Sequence, residues 1–264
     1  MRRKVIGVIV MAALLLVGCG AGAMFYRQYS DAKNSENSFE QLQQMVQETG
    51  ELPVLPAETE TTTETTEQVE TEHQSAPFDK YRALYEQNSD MVGWICIDGT
   101  NINYPVMQTP DNPNYYLKHS FEKTWSDYGV PYVDAACVMG ESNNLVIYGH
   151  NMKNGSMFSN LTKYASREFF EANPVIHFDT LQEFGDYQII AAFRYNTYKE
   201  EFMYNKYGTM NEASFEEFIS NCKSRSLYDT GATAEYGDQL ITLSTCEYTY
   251  KNGRFVVVAK KIVE

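Results

Sequence analysis

The stretch Ile241-Thr242-Leu243-Ser244-Thr245-Cys246 alternates apolar and polar residues, and a polar run from Glu247 to Gly253 follows it. This alternation predicts a β-strand. The next segment, Arg254-Phe255-Val256-Val257-Val258, predicts a second strand because β-branched residues favour strands. Cys246 and Arg254 would then face each other across one loop. A thiol delivered to the end of a strand is a candidate nucleophile.

A cysteine nucleophile needs a proton acceptor, and His150 is the histidine in a comparable position, because it follows the apolar segment Leu145-Val146-Ile147-Tyr148. Arg254 cannot serve as a base at neutral pH, but its guanidinium can stabilise a thiolate and a developing oxyanion. We therefore expect Cys246 to be the nucleophile, His150 the general acid and base, and Arg254 the donor to the oxyanion or substrate carbonyl. The three side chains should converge on one groove.

Three segments carry a resemblance to a known family: TLSTC at 242–246 with Arg254 beyond it, YGHNMKNGSMF at 148–158, and YPVMQTPDNPNYYL at 104–117. In this order they resemble the sortases, membrane-anchored cysteine transpeptidases of Gram-positive bacteria, and among them class B. The resemblance spans most of the chain beyond Phe78.

The resemblance implies a reaction. A sorting signal such as Asn-Pro-X-Thr-X is cleaved after its Thr, an acyl-enzyme forms at Cys246, and the acyl group passes to an amine of peptidoglycan or of a lipid-linked precursor. The implied partners are surface proteins that carry a C-terminal sorting signal, and no cofactor is implied.

The resemblance also assigns substrate contacts to Ser244, Glu247 and Leu117. Ser244 and Glu247 flank the nucleophile, where they could meet polar groups of the peptide. The family's Asp-Asn-x-Tyr-Tyr-Leu occurs here with one extra residue, at 111–117. Both Asn112 and Asn114 are therefore candidates for the substrate-contacting asparagine.

The N-terminus predicts a membrane segment. Three positive charges precede an uncharged, mostly apolar run from Val5 to Tyr26 that ends at Arg27. The run is long enough to span a bilayer, and the positive-inside rule leaves the remainder of the chain outside the cell. Leu16-Val17-Gly18-Cys19 also fits a lipoprotein processing site, with Cys19 carrying the lipid. The apolar run continues past Cys19, which favours an uncleaved signal anchor.

Between the anchor and the folded part lies a polar segment. Phe39, Leu42, Met45 and Val46 have helical spacing and predict a short membrane-proximal helix. Residues 51–74 are mostly Thr, Glu and Pro, a composition typical of a disordered stalk. The chain therefore divides into an anchor at 1–29, a membrane-proximal segment and stalk at 30–77, and a catalytic domain at 78–264.

The stalk explains the acidic charge. Residues 34–79 contain ten Glu, one Asp and no Lys or Arg, which is −11 of the chain's net charge of −14. The remainder carries only −3, so the charge indicates a self-repelling spacer and does not suggest nucleic-acid binding.

The domain beyond Phe78 reads as mainly β. A first helix ends before Gly93, and a second runs from Asn211 to Ser226 with one apolar face. Many short strands with few helices predict a closed barrel, which is also the sortase fold that the resemblance implies. The expected strands are 93–97, 103–107, 130–133, 145–148, 175–179, 185–195, 239–245 and 254–262.

The other cysteines and the histidines suggest no disulfide or metal site. Cys96 and Cys222 fit small buried hydrophobes in a strand and on an apolar helix face. His119, His150 and His177 lack the short spacing of metal ligands.

Two other functions stay open from sequence. A secreted cysteine peptidase would use the same cysteine and histidine for hydrolysis alone. A non-enzymatic lipoprotein, suggested by Cys19, would leave Cys246, His150 and Arg254 scattered.

Overall fold

The chain folds around eight β-strands. A computed structural model describes residues 2–50 and 77–263. The strands are β1 Met91–Cys96, β2 Asn103–Met107, β3 Tyr132–Val133, β4 Asn144–Tyr148, β5 Val175–Thr180, β6 Asp186–Asn196, β7 Leu240–Glu247 and β8 Gly253–Lys261. All eight predicted strands are confirmed, with boundaries shifted by one or two residues.

The strands form a closed barrel in the order β1-β2-β3-β4-β7-β8-β6-β5. It closes where β1 pairs with β5, from Gly93 with Thr180 to Cys96 with His177. The short β3 completes the ring, pairing with β2 at one position and with β4 at two. Two pairs are parallel, β2 with β3 and β4 with β7, and the second places a strand from the middle of the sequence beside the cysteine strand.

Within the described ranges, four α-helices accompany the barrel: α1 Arg2–Gly50, α2 Pro77–Gln87, α3 Arg167–Ala172 and α4 Glu212–Arg225. The opening helix and the helix before the cysteine strand were predicted, and α2 and α4 confirm them. Asn211 caps α4 by accepting a hydrogen bond from the Ser214 N–H. The short α3 and the 3-10 helix Phe158–Ala165 were not predicted.

The predicted stripe on the membrane-proximal helix packs onto the barrel. Phe39 and Leu42 of α1 are buried in the same core as the barrel residues. The Phe39 ring meets Tyr104 of β2 edge to face, 4.9 Å between ring centroids. The Gln43 amide donates to the Asn103 carbonyl at 2.8 Å. The last third of α1 therefore packs against the folded domain whose predicted start is Phe78.

The sequence also predicted a membrane anchor and a stalk. Across the part of the chain that the structure describes, no helix has a stretch apolar and long enough to cross a bilayer. The side chains of Val5 to Val10 and the whole predicted stalk at 51–74 lie outside the described residues.

All five cysteines are unpaired, Cys19, Cys96, Cys137, Cys222 and Cys246. Cys222 is buried on the apolar face of α4, as predicted. Cys96 is only half-buried, because its side chain borders a depression that Lys80, His177 and Asp179 also line.

Candidate active site

Cys246 and Arg254 are direct partners across two antiparallel strands. Cys246 lies one residue before the end of β7, and the ladder pairs it with Arg254, the second residue of β8. Side chains of paired residues project from the same side of a sheet. The predicted hairpin therefore brings the thiol and the guanidinium together. The Arg254 Nη1 donates only to the Gly253 carbonyl, at 3.0 Å, and no carboxylate within the described residues forms an ion pair with it.

His150 lies beside Cys246 on the other side. The parallel ladder of β4 and β7 ends with Tyr148 opposite Ser244. The same offset continues past the strand, because the Gly149 N–H donates to the Ser244 carbonyl at 3.1 Å. The Asn151 amide then donates to the Cys246 carbonyl at 2.8 Å. If the offset of the ladder continues for two more residues, the His150 backbone lies beside that of Cys246, at roughly the 5 Å spacing of neighbouring strands.

The loop that carries His150 is held at its C-terminal end by backbone hydrogen bonds. The Phe158 N–H donates to the His150 carbonyl at 2.8 Å, and Asn151 forms an isolated β-bridge with Met157. Met157 has φ 56 and ψ −135, a backbone conformation that favours glycine. Its N–H donates to the Tyr104 hydroxyl at 3.0 Å, and its side chain is buried. Tyr104 is thus a positioning residue that holds a strained turn in place behind His150.

A backbone contact fixes the tautomer of His150. Its Nε2 lies 2.8 Å from the Leu117 carbonyl oxygen. A carbonyl can only accept, so Nε2 carries the proton and Nδ1 is the basic nitrogen of the neutral ring. Burial lowers the pKa of His150, while the Leu117 hydrogen bond and the charge of Asp127 raise it and Lys118 lowers it. At neutral pH the ring is therefore a neutral base.

A groove of about 580 Å³ reaches from Leu117 to Arg254. Its floor is one face of the sheet, because the ladders pair Tyr132 with Tyr148 and Tyr148 with Ser244. Cys246 lies on the same face two residues beyond Ser244, but of the three predicted catalytic residues Arg254 alone is part of the groove lining. The groove is lined by Pro113, Asn114, Leu117, Tyr132, Asp134, Ala135, Tyr148, Tyr195, Thr197, Met203, Tyr204, Asn205 and Arg254. Among the described residues no cluster of three metal-binding side chains occurs.

Ser244 is covered by a tyrosine. Its side chain is 1% exposed, and its hydroxyl lies 2.7 Å from the Tyr204 hydroxyl. Burial raises the pKa of Tyr204 to about 12, although the Ser244 hydrogen bond and the positive charge of Arg254 lower it. Tyr204 therefore lines the groove as an uncharged side chain, and its hydroxyl is hydrogen-bonded to the buried Ser244 hydroxyl.

Glu247 lies on the opposite face of β7 from Cys246, because successive strand residues alternate. The polar run from Glu247 to Gly253 predicted a loop, but Glu247 is the last residue of β7 and is only 9% exposed. Its carboxylate accepts from the backbone N–H and hydroxyl of Thr249 and forms an ion pair with Arg194 at 3.8 Å. It shapes the β7–β8 loop and does not line the groove.

The sequence left two asparagines open, and Asn114 is the one that lines the groove. It has φ 65 and accepts from the Tyr132 hydroxyl at 3.0 Å. Sequence reasoning missed Asn151, Tyr104 and Tyr204. The position of Asn151 directly after His150 could have indicated it, whereas Tyr204 begins a short 3-10 helix, Tyr204–Lys206, that no sequence pattern predicts.

A closed barrel that presents a thiol between an imidazole and a guanidinium is suited to cysteine-dependent acyl transfer. Comparison with known proteins identifies the family. The model of the sortase domain matches residues 95–262, and the chain therefore belongs to the sortase family. Sortases are cysteine transpeptidases that anchor surface proteins, and the relatives below are of class B.

Sortase B of Listeria monocytogenes serovar 1/2a is 34% identical over 189 residues, which are 70% of this chain and 75% of that protein. The Staphylococcus aureus sortase B–substrate complex superposes with a TM-score of 0.73 at 28% identity, covering 88% of this chain and 98% of that one. A structure of sortase B complexed with triglycine gives a TM-score of 0.72 at 27% identity, covering 88% and 98%.

We expect Tyr104→Phe to lower kcat by about 3- to 10-fold and leave KM nearly unchanged, since the lost hydroxyl holds the turn behind His150 and touches no groove residue. Tyr164→Phe is the matched control, because it removes a buried hydroxyl that bonds to a backbone carbonyl, that of Asn173. Equal kcat losses in both variants would contradict the positioning role.

The loss of activity at low pH, the acid limb of the pH profile, should reflect protonation of His150. Its lowered pKa puts that limb below about pH 6.5. Lys118→Gln removes a charge that lowers the pKa and should move the limb to higher pH; Asp127→Asn should move it to lower pH. Each shift should be roughly 0.2 to 0.5 pH unit, because both side chains are exposed.

Profiles of kcat/KM against pH at low salt test these shifts, and high salt should shrink both. Shifts in the same direction for the two variants would contradict the electrostatic assignment of the limb to His150.

Proposed function

We propose that this chain is a membrane-anchored class B sortase that cleaves an Asn-Pro-X-Thr-X sorting signal after its Thr and transfers the acyl group to a peptidoglycan amine. The observation that carries the proposal is the strand register, which pairs Cys246 with Arg254 and continues the β4–β7 offset to His150. The similar sortase B structures, one a complex with substrate and one a complex with triglycine, which offers a free amine, support a peptide donor and an amine acceptor.

In the first half-reaction, the sulfur of Cys246 attacks the carbonyl carbon of the substrate Thr, and Nδ1 of His150 takes the thiol proton. The Arg254 guanidinium donates to the oxyanion of the tetrahedral intermediate. As the intermediate collapses, the scissile C–N bond breaks and His150 returns the proton to the leaving amine. A thioester at Cys246 remains.

In the second half-reaction, the acceptor amine attacks the thioester carbonyl. Nδ1 of His150 removes a proton from the amine nitrogen, and the C–S bond breaks to release a new amide and the thiolate. The thiolate then recovers the proton from His150. The Leu117 carbonyl keeps the imidazole oriented through both steps, because it binds Nε2 and leaves Nδ1 available.

The substrate contacts differ in kind. Leu117 and Asn114 line the groove and meet the peptide directly. Ser244 acts through the Tyr204 hydroxyl that covers it. Glu247 shapes the loop between Cys246 and Arg254 through Thr249.

The localisation belongs to the same proposal. The uncharged run from Val5 to Tyr26, with Arg2, Arg3 and Lys4 before it and Arg27 after it, supports an uncleaved signal anchor with the catalytic domain outside the cell. The lipoprotein alternative places Cys19 at the membrane instead, and protease protection of the N-terminus in whole cells separates the two.

The proposed reaction predicts that a peptide library incubated with the enzyme and triglycine yields ligated products joined at the substrate Thr. Cys246→Ala should abolish them. Cys222→Ala removes a buried thiol in α4 and should keep activity while it lowers the free energy of unfolding by about 1 kcal/mol. Mass spectrometry distinguishes ligation from hydrolysis. Products formed by the Cys246→Ala protein, or hydrolysis unaffected by triglycine, would refute transpeptidation at this thiol.

Arg254→Lys distinguishes a directed donor from a simple charge. A lysine keeps the positive charge but lacks the planar fork of hydrogen-bond donors. If Arg254 holds the oxyanion, the lysine variant should lose roughly 10² to 10³ in kcat/KM. The alkylation rate of Cys246 against pH serves as the control for the thiol. Near-normal turnover in the lysine variant would contradict the oxyanion role.

A further inference from the structure

The loop at residues 118–127 runs along α1 just past the end of the apolar run. The Asp127 N–H donates to the Asp31 carboxylate at 3.0 Å, and the Ser38 hydroxyl donates to the Glu122 carboxylate at 2.6 Å. Two bonds, seven residues apart on the helix, set the direction of the loop relative to the helix axis.

Trp125 lies at the membrane-facing end of this contact. It lines one surface depression with Met24, Tyr26 and Arg27, and its side chain is 60% exposed. With Phe25 and Tyr26 of α1, which are also exposed, it forms an aromatic cluster, and clustered exposed apolar side chains mark interaction surfaces. Trp125 therefore lies next to the α1 residues at which the apolar run ends.

The geometry of a helix gives the depth of the ring. The run from Val5 to Tyr26 would span about 33 Å at 1.5 Å per residue, close to the hydrocarbon thickness of about 30 Å. Asp31 lies five residues further, about 7.5 Å beyond Tyr26, within the headgroup zone. Trp125 shares its depression with α1 residues between Met24 and Asn34, and Asp127 bonds to Asp31, so the ring lies in the headgroup zone just beyond the apolar run.

The chemistry of the surroundings fits that depth. Tryptophan and tyrosine prefer the membrane interface, where the ring meets lipid and the N–H or O–H meets water. Phe25, Tyr26 and Tyr29 of α1 are exposed at the same level. Lys118 and Lys123 of the loop are paired with Asp127 and Asp90, so the loop carries balanced charge and its contact with lipid depends on the aromatic ring.

We propose that residues 118–127 form an interfacial loop that inserts Trp125 into the headgroup zone of the bilayer around the anchor. The inference rests on the proposed membrane anchor. Ring contacts connect the loop to the groove, since Trp125 packs on His119 and His119 stacks on Tyr115 at 3.8 Å between ring centroids. Tyr115 begins the short helix that ends at Leu117, the carbonyl partner of His150. The bilayer thereby fixes the height of the groove above the membrane.

The test uses the full chain in vesicles of phosphatidylcholine and phosphatidylglycerol whose acyl chains are brominated near the headgroup, since bromine quenches tryptophan on contact. The chain has two tryptophans, and Trp94 is only 5% exposed. Residue 125 is exposed, so the Trp125→Phe variant should fold normally. The difference in tryptophan emission between the wild type and this variant therefore reports Trp125 alone. Flotation of the vesicles measures anchoring separately.

We expect both proteins to float with the vesicles and the Trp125 emission to fall about twofold in brominated vesicles, as contact with the interface requires. Asp31→Ala removes the acceptor of the Asp127 N–H and should weaken this quenching without loss of flotation. Flotation with no quenching of Trp125 would overturn the interfacial loop and leave the anchor intact. Failure to float would overturn the anchor and the loop together.

Discussion

The parallel pairing of β4 with β7 is the interaction on which the rest of the site depends. It joins Leu145–Tyr148 to Ile241–Ser244, segments almost a hundred residues apart, with one fixed offset. A shift of one residue would turn the site-facing side chains of β7 to the opposite face. The offset continues past the strand end through Gly149 and Asn151, so the same hydrogen-bond ladder that builds the barrel also places His150 beside Cys246.

The antiparallel hairpin of β7 and β8 completes the arrangement. It pairs Cys246 with Arg254 of β8, and on the other side of Cys246 the register of β4 leads to His150, two residues past the end of that strand. Each of the three groups is held by backbone structure. Since catalysis gains from donors that need no reorganisation during the reaction, a rigid barrel is a suitable support for this chemistry. The strained turn at Met157 is the exception, and Tyr104 holds it.

Much of the fold could be predicted because it depends on local patterns. All eight strands, α2 and α4 follow from alternation, β-branched runs and helical spacing. The hairpin that joins Cys246 to Arg254 was predictable for the same reason, since its strands are adjacent in sequence. The partner of β7 was not, because no local pattern specifies a parallel neighbour from the middle of the chain.

The groove was harder to predict than the reactive groups. Tyr204 covers Ser244 from the start of a three-residue 3-10 helix, and its position depends on tertiary packing. Glu247 was predicted to be a loop residue because the sequence turns polar there, yet β7 extends two residues beyond the predicted end at Thr245 and buries Glu247 against Arg194 and Thr249. Side-chain direction at a strand end depends on where pairing stops, which sequence alone does not define.

The central claim is that His150 and Cys246 are lateral neighbours, and disulfide trapping tests it most directly. A disulfide needs Cα atoms about 4.4 to 6.8 Å apart, which adjacent strands provide. Mild oxidation of His150→Cys should therefore link residue 150 to Cys246 with loss of two hydrogens, as mapped by peptide mass spectrometry. Lys153→Cys, an exposed position of the same loop, should stay unlinked. Failure of the residue 150 variant to form the bond while it remains folded, or equal bonding at position 153, would contradict the account.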